Sequence, residues 1–92
     1  MKKLFPTVYN CRDRVGLAMY EIRDGKLYPT VHNEGDIIGL PVYEIRGNQI
    51  FPTVYNAGEN FDLPLYEIKG NELFPTANNS IHPYWVPIYT IR

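Results

Sequence analysis

Apolar and polar residues alternate over short segments of this chain, and these segments come in pairs joined by two turn-forming residues. In the first pair, residues 20–23 (YEIR) and 26–29 (KLYP) lie on either side of such a dipeptide. Three dipeptides occupy this place in successive pairs: Asp24-Gly25, Gly47-Asn48 and Gly70-Asn71. Because Asp-Gly and Gly-Asn favour the positive φ angles of two-residue turns, the pattern predicts three tight β-hairpins.

The hairpins belong to a 23-residue repeat that fills the 92-residue chain four times, as units 1–23, 24–46, 47–69 and 70–92. Five positions are identical in every unit, and in the first unit they are Pro6, Thr7, Asn10, Tyr20 and Ile22. Identity between copies indicates that equivalent positions do equivalent structural work. The sequence therefore predicts a single all-β domain over residues 1–92, with no segment of helical periodicity.

A two-residue turn also fixes which residues face one another across each hairpin. In the first hairpin Arg23 is expected opposite Lys26, and Tyr20 opposite Pro29. Side chains alternate across a strand, so one face is predicted to be core: Tyr20, Ile22, Leu27, Pro29 and Val31. The other face is predicted to be mainly solvated: Glu21, Arg23, Lys26, Tyr28 and Thr30. Since proline cannot donate a ladder hydrogen bond, each second strand is expected to bend near its Pro-Thr pair.

The two ends of the chain are complementary halves of a hairpin. Residues 3–10 match a second strand and residues 86–92 match a first strand. Pairing them places Leu4 opposite Ile91 and Phe5 opposite Thr90, and it removes two exposed sheet edges. We therefore expect four hairpin repeats closed into a pseudo-four-fold ring. The alternative is the same pairing made between chains, in a swapped or fibrous assembly.

The repeated motif resembles the small bacterial "four-fold beta flower" domains over the whole chain. The resemblance rests on the aromatic-Pro-Thr motif and on Tyr20–Arg23, Tyr43–Arg46 and Tyr66–Lys69, which read Tyr-Glu-Ile-Arg/Lys. The fourth copy departs from it, with Thr90 in place of the glutamate. The resemblance implies a petal-like ring of hairpins in a bacterial protein, and it implies no assigned activity.

Charge and cysteine content narrow the classes of partner and compartment. Nine Lys and Arg against ten Asp and Glu give a net charge of −1, which provides no global field for nucleic acid or an anionic membrane. Neither is therefore expected as a partner. Cys11 is the single cysteine, so no intramolecular disulfide is expected, and no stretch has the length and apolarity of a transmembrane span. The expected location is the cytoplasm.

Residue types that carry catalysis or bind metals are sparse and scattered. His32 and His82 occupy different positions in different units, so the repeat does not bring them together. Cys11 lies near Arg12 and Arg14 without a neighbouring histidine in the sequence. We therefore expect no catalytic residues, no metal site and no cofactor, and we predict that the protein is not an enzyme.

Two rings of charge are expected around the axis. Glutamates occupy three equivalent positions, Glu21, Glu44 and Glu67, and basic residues occupy four, Arg23, Arg46, Lys69 and Arg92. The first interpretation is that the two sets form ion pairs between neighbouring hairpins. The functional alternative is an anion or ligand that several of the basic groups hold on the axis.

The fourth unit departs most from the template in its connecting loop. This loop contains the only tryptophan, and its candidate binding residues are Asn79, His82, Tyr84 and Trp85. An exposed Tyr-Trp pair suits stacking on a sugar or contact with a protein. The alternatives are that Trp85 covers the core, and that Asn79 caps its turn in the same way as Asn10, Asn33 and Asn56.

The sequence thus predicts a small non-enzymatic binding or interaction module of unknown ligand. The alternative is a carbohydrate or small-molecule binder that uses the aromatic loop of the fourth unit. A protein partner, a small ligand and self-association into a homo-oligomer all remain open. A concave pocket with convergent polar groups would favour a ligand over a protein partner.

Overall fold

Eight short strands make up the regular structure of the part of the chain that the structure describes. The computed structural model describes residues 2–10, 15–33, 39–56, 62–79 and 86–92, and this part of the chain contains strands and turns but no helix. The strands are β1 (Lys3–Pro6), β2 (Tyr20–Arg23), β3 (Lys26–Pro29), β4 (Tyr43–Arg46), β5 (Gln49–Pro52), β6 (Tyr66–Lys69), β7 (Glu72–Pro75) and β8 (Tyr89–Ile91). The all-β class predicted from the repeat is confirmed.

Three of the strand pairs are hairpins with two-residue turns. Between β2 and β3, Arg23 faces Lys26 and Tyr20 faces Pro29, so the predicted register is confirmed. Asp24 and Gly25 both have positive φ, at 51° and 73°, which is the pattern of a type I′ turn. In the next hairpin the first turn residue is Gly47, whose φ is 62°. Either pattern suits the right-handed twist of the strands that it joins.

The ends of the chain pair as the fourth hairpin. Strand β1 runs antiparallel to β8, with Leu4 opposite Ile91 and Phe5 opposite Thr90. The Lys3 amide donates to the Arg92 carbonyl at 2.8 Å, and the Arg92 amide donates back to the Lys3 carbonyl at 2.9 Å. Each strand also pairs with the next along the chain, so the sheet closes as β1-β2-β3-β4-β5-β6-β7-β8. The predicted closed ring is confirmed, and the pairing lies within one chain.

Neighbouring hairpins pair over less of their length than the strands within a hairpin. Strands β3 and β4 match only Lys26 with Glu44 and Leu27 with Tyr43. The Ile45 amide also donates to the Gly25 carbonyl at 2.8 Å, so this short pairing reaches the turn of the preceding hairpin. We call the end that holds residues 24–25, 47–48 and 70–71, together with Lys3 and Arg92, the turn end. The opposite end, where β1, β3, β5 and β7 finish, is the loop end.

The core is stacked in rings of equivalent residues. One ring, at most 1% exposed, is Leu4, Leu27, Ile50 and Leu73. A second, at most 5% exposed, is Met19, Val42, Leu65 and Ile88. Eight strands enclose an interior just wide enough to be filled by side chains. The four equivalent residues of each ring consequently pack against one another across the axis.

Four tyrosines form a closed ring in this core: Tyr20, Tyr43, Tyr66 and Tyr89. Each contacts the next edge-to-face, with centroids 5.6 to 5.9 Å apart and interplanar angles of 74° to 80°. Such pairs contribute about 0.5–1.5 kcal/mol each beyond the area they bury. The identity of this position in all four units follows from this geometry, because each ring is both edge and face to its neighbours.

Two expectations about the strands are corrected. Val31, expected in the core, is 76% exposed, because β3 ends at Pro29 and the chain turns before the next inward position. The strands at the chain ends are also shorter than the predicted 3–10 and 86–92, spanning Lys3–Pro6 and Tyr89–Ile91. The expected bend at Pro-Thr is present, and it ends the strand outright.

Candidate functional site

The loop end begins with a four-residue turn built from the constant Pro-Thr-x-x-Asn motif. In the third unit the Thr53 hydroxyl donates to the Pro41 carbonyl and accepts from the Tyr55 amide at 3.2 Å. The Asn56 amide donates to the Thr53 carbonyl at 3.0 Å. One hydroxyl therefore caps the turn and ties it to the segment that leads into β4, the first strand of the same hairpin.

The asparagine that ends this turn ties it down a second time. The Asn56 side-chain amide donates to the Val42 carbonyl at 3.1 Å, and equivalent bonds recur in the other three units. These contacts support the predicted structural role of the asparagines. Because both ends of the turn are bonded inward, its two middle residues project into solvent.

The middle residues of the turns give the loop end an exposed apolar surface. Val8, Val31 and Val54 are 74% to 78% exposed, and Tyr9 and Tyr55 are about half exposed. The pair is Val-Tyr in the first and third units, whereas the second unit has His32 after its valine and the fourth unit carries Ala77 and Asn78. The surface is thus most apolar at the first and third units and least apolar at the fourth.

A groove of about 280 Å³ opens on the outer face where the second and third units meet. It is lined by residues of β3, β4 and β5 and of the segments beside them: Lys26, Pro41, Glu44, Arg46, Pro52, Thr53, Val54 and Tyr55. Its apolar wall is made by the prolines, Val54 and the Tyr55 ring. Its polar wall is made by three charged side chains, so it combines an apolar surface with convergent polar groups.

The polar wall carries one net positive charge, from two cations and one carboxylate. Arg46 Nε donates to Glu44 Oε1 at 3.1 Å, and the guanidinium carbon lies 4.2 Å from the centre of the Phe51 ring. Lys26 faces Glu44 across the strands, yet no carboxylate among the described residues lies within ion-pair distance of it. Arg46 is held in place, whereas the ammonium of Lys26 is available to a ligand.

The other units vary the chemistry of the same positions. The equivalent positions one unit earlier hold Lys3, Ala18, Glu21, Arg23, Pro29, Thr30, Val31 and His32. The equivalent positions one unit later hold Gln49, Pro64, Glu67, Lys69, Pro75, Thr76, Ala77 and Asn78. Where the ring closes, they are Glu72, Pro87, Thr90, Arg92, Pro6, Thr7, Val8 and Tyr9. Two basic side chains together with a tyrosine occur only in the groove of Lys26, Arg46 and Tyr55.

Of the four binding residues predicted in the fourth unit, the structure places Asn79. Its side-chain amide donates to the Leu65 carbonyl at 3.2 Å, as in the other units. His82, Tyr84 and Trp85 lie outside the described residues, so the proposed Tyr-Trp surface stays a prediction.

The two rings of charge lie on the outside of the barrel. Arg23, Arg46, Lys69 and Arg92 each lie over an aromatic ring of the partner strand in their own hairpin, 4.0 to 5.0 Å from its centre. The ion pairs expected between hairpins instead join residues two apart on one strand, as in Arg23 with Glu21 at 3.3 Å. Alternation puts these side chains on the face opposite the core, which removes the support for an anion site on the axis.

The groove itself was not predicted from the sequence. Lys26 and Glu44 meet through pairing between hairpins, whereas the turn chemistry fixed only the register within a hairpin. The available signal was the contrast between the constant Thr53 and Asn56 positions and the variable pair between them. Constant anchors around changing residues are typical of a scaffold that presents side chains.

Within the described ranges, no three His, Cys, Asp or Glu side chains are grouped so as to hold a metal ion, and no helix is long and apolar enough to cross a membrane. No protein-family model, curated protein or solved structure matches the chain.

Proposed function

We propose that the protein is a small, non-enzymatic binding module, and that it holds a small ligand in the groove lined by Lys26, Arg46 and Tyr55. The observation that carries this proposal is a concave site in which an apolar wall meets convergent polar groups. This favours the small-molecule binder over a purely protein-binding surface, and it moves the candidate site from the fourth unit to the junction of the second and third.

The architecture supports binding without catalysis. The groove is shallow enough for Tyr55 to be half exposed, and its charged groups lie on strands fixed by the closed sheet. A rigid frame with exposed turns holds a ligand without having to move. The resemblance to the four-fold beta flower domains, which implies no activity, agrees with this proposal, as does the cytoplasmic bacterial setting that we propose with it.

A fragment titration followed by NMR tests the proposal. One- and two-ring fragments that are anionic, neutral or cationic are added to the ¹⁵N-labelled protein. We expect saturable shifts at the amides of Lys26, Glu44, Val54 and Tyr55 for at least one charge class. Tyr55→Ala should weaken that binding several-fold, because the exposed ring supplies much of the apolar wall.

Tyr9→Ala is the matched control, since Tyr9 holds the equivalent place where the ring closes. It should leave the groove shifts unchanged. Saturable binding that maps elsewhere, or equal losses in the two variants, would show that this groove is not the binding site.

The exposed valines of the loop end favour a second candidate, which is self-association. A surface repeated about an axis is self-complementary to a second copy that stacks on the same axis. Sedimentation equilibrium over a range of concentrations would show a dimer that Val31→Asp and Val54→Asp abolish. A monomer at every concentration would remove this candidate and leave the groove unaffected.

A further inference from the structure

We infer that the ligand of the groove is a small organic anion, in which a carboxylate is joined to a flat aromatic group. This inference rests on the proposed function and adds the chemical class of the ligand. Three properties of the groove support it, namely its size, the net charge of its polar wall and the shape of its apolar wall.

The volume limits the ligand to one or two rings. At about 280 Å³ the groove lies just below the range for small-molecule sites, roughly 300–1,000 Å³. A disaccharide or a dinucleotide would extend well beyond it. A single aromatic group with a short acidic arm fits within it.

The polar wall is suited to a carboxylate. Lys26 is a flexible point charge with three donors, and it has no carboxylate partner among the described residues. Arg46 is already oriented by Glu44 and by the Phe51 ring. Among its described contacts only Nε is used, so its terminal N–H groups are placed to donate to a second oxygen.

The apolar wall is suited to a flat ring. Pro41, Pro52 and Val54 offer aliphatic surface, and the Tyr55 ring, 53% exposed, offers an aromatic edge or face. Aromatic contacts of this kind favour offset or edge-to-face packing of a second ring. The charged and apolar walls border one groove, so one molecule is expected to reach both.

The equivalent positions in the other units break this combination in different ways. One unit earlier, His32 and Ala18 replace the tyrosine and the first proline, although Lys3 and Arg23 keep both cations. Where the ring closes, Tyr9 is kept but Glu72 replaces the lysine. The first unit, which keeps both cations without the tyrosine, is therefore the control for the aromatic ring. The positions where the ring of hairpins closes, which keep the tyrosine without the lysine, are the control for the charge.

The test compares three probes that separate charge from ring: indole-3-acetate, indole-3-acetamide and acetate. NMR titration of the intact protein should show the acid binding about three- to fivefold more tightly than its neutral amide, as expected of a partly exposed charge pair. The advantage should shrink as salt is added. Acetate, which lacks the ring, should bind more weakly than either.

Variants show which side chains cause the preference for the acid over the amide. Lys26→Gln should remove most of the preference for the acid over the amide, leaving only the part that Arg46 supplies, without changing the affinity for the amide. Lys26→Arg should restore the preference, and Lys3→Gln, the equivalent change in the first unit, should leave it intact. Tyr55→Ala should weaken both indole compounds. Spectra that keep their dispersion show that each variant is folded.

A free aryl acid and the C-terminal residue of a peptide present the same chemistry. Titrating N-acetyl-Gly-Gly-Trp beside indole-3-acetate separates them, since a peptide ligand would gain affinity from the added residues. Equal affinity of the acid and the amide, or a Lys3→Gln effect as large as that of Lys26→Gln, would overturn the inference. Saturable binding of neutral fragments in the groove would then still support the proposed function.

Discussion

The inside of the barrel and its loop end use the same repeat in opposite ways. Inside, Leu4, Leu27, Ile50 and Leu73 are at most 1% exposed, and the tyrosine ring is identical in all four units. At the loop end the two middle residues of each turn are Val-Tyr, Val-His, Val-Tyr and Ala-Asn. These core positions vary only between the isomers leucine and isoleucine or not at all, whereas the exposed positions vary in size, aromatic ring and hydrogen-bonding groups.

The difference follows from what each position contacts. A core residue packs against its own copies across the axis, so a change in one unit must suit the other three. A residue in the middle of a turn contacts solvent, and the turn is closed by Thr and Asn whatever stands between them. The repeat therefore preserves the frame while each unit is able to present different chemistry.

The largest expected effect comes from breaking the core. Ile50→Ala should lower the free energy of unfolding by about 2–5 kcal/mol, because Ile50 is fully buried and the closed barrel has little room to collapse into the cavity. Val54→Ala, in the turn that follows the same strand and 74% exposed, should change it by less than about 0.5 kcal/mol. Urea denaturation of the two variants measures the contrast, and equal losses would contradict it.

Much of the frame was predictable because two-residue turns leave little freedom. Asp24 and Gly25 set the register of their hairpin, and closure of the ring followed from the complementary ends. Val31 was misplaced because alternation was extended past Pro29, where the strand has already ended. The ring of Met19, Val42, Leu65 and Ile88 was not singled out, although all four are apolar.

The groove was less predictable because it depends on pairing between units. Turn chemistry says nothing of how far one hairpin slides along the next, and that offset decides that Lys26 faces Glu44. Pairs within a strand were also missed, since Arg46 and Glu44 lie two apart and share the outer face. Sequence reasoning had assigned these glutamates and arginines to contacts across hairpins.

An intermediate effect is expected where the frame and the exposed turn meet. Thr53→Ala removes a hydroxyl that donates to the Pro41 carbonyl and accepts from the Tyr55 amide. The loss should be about 1–2 kcal/mol, since both groups lose a partner while water reaches them in part. Thr53→Ser keeps the hydroxyl and should recover most of the stability. If serine were no better than alanine, the methyl group rather than the hydrogen bonds would be holding the turn.

The smallest expected effect concerns the outer charges, which belong to neither the core nor the turns. Glu44→Gln removes the carboxylate that Arg46 contacts at 3.1 Å, but both side chains are substantially exposed, at 39% and 52%. The change in unfolding free energy should therefore be about 1 kcal/mol or less, and it should diminish further in high salt. Arg46 would keep its place over the Phe51 ring, whose attraction for a cation does not depend on Glu44. The groove should then carry two positive charges instead of one net charge, so Glu44→Gln should tighten the binding of an aryl carboxylate while leaving the fold nearly as stable. If Glu44→Gln instead lowered the free energy of unfolding as much as a core substitution does, the outer face would be as strongly constrained as the inside of the barrel.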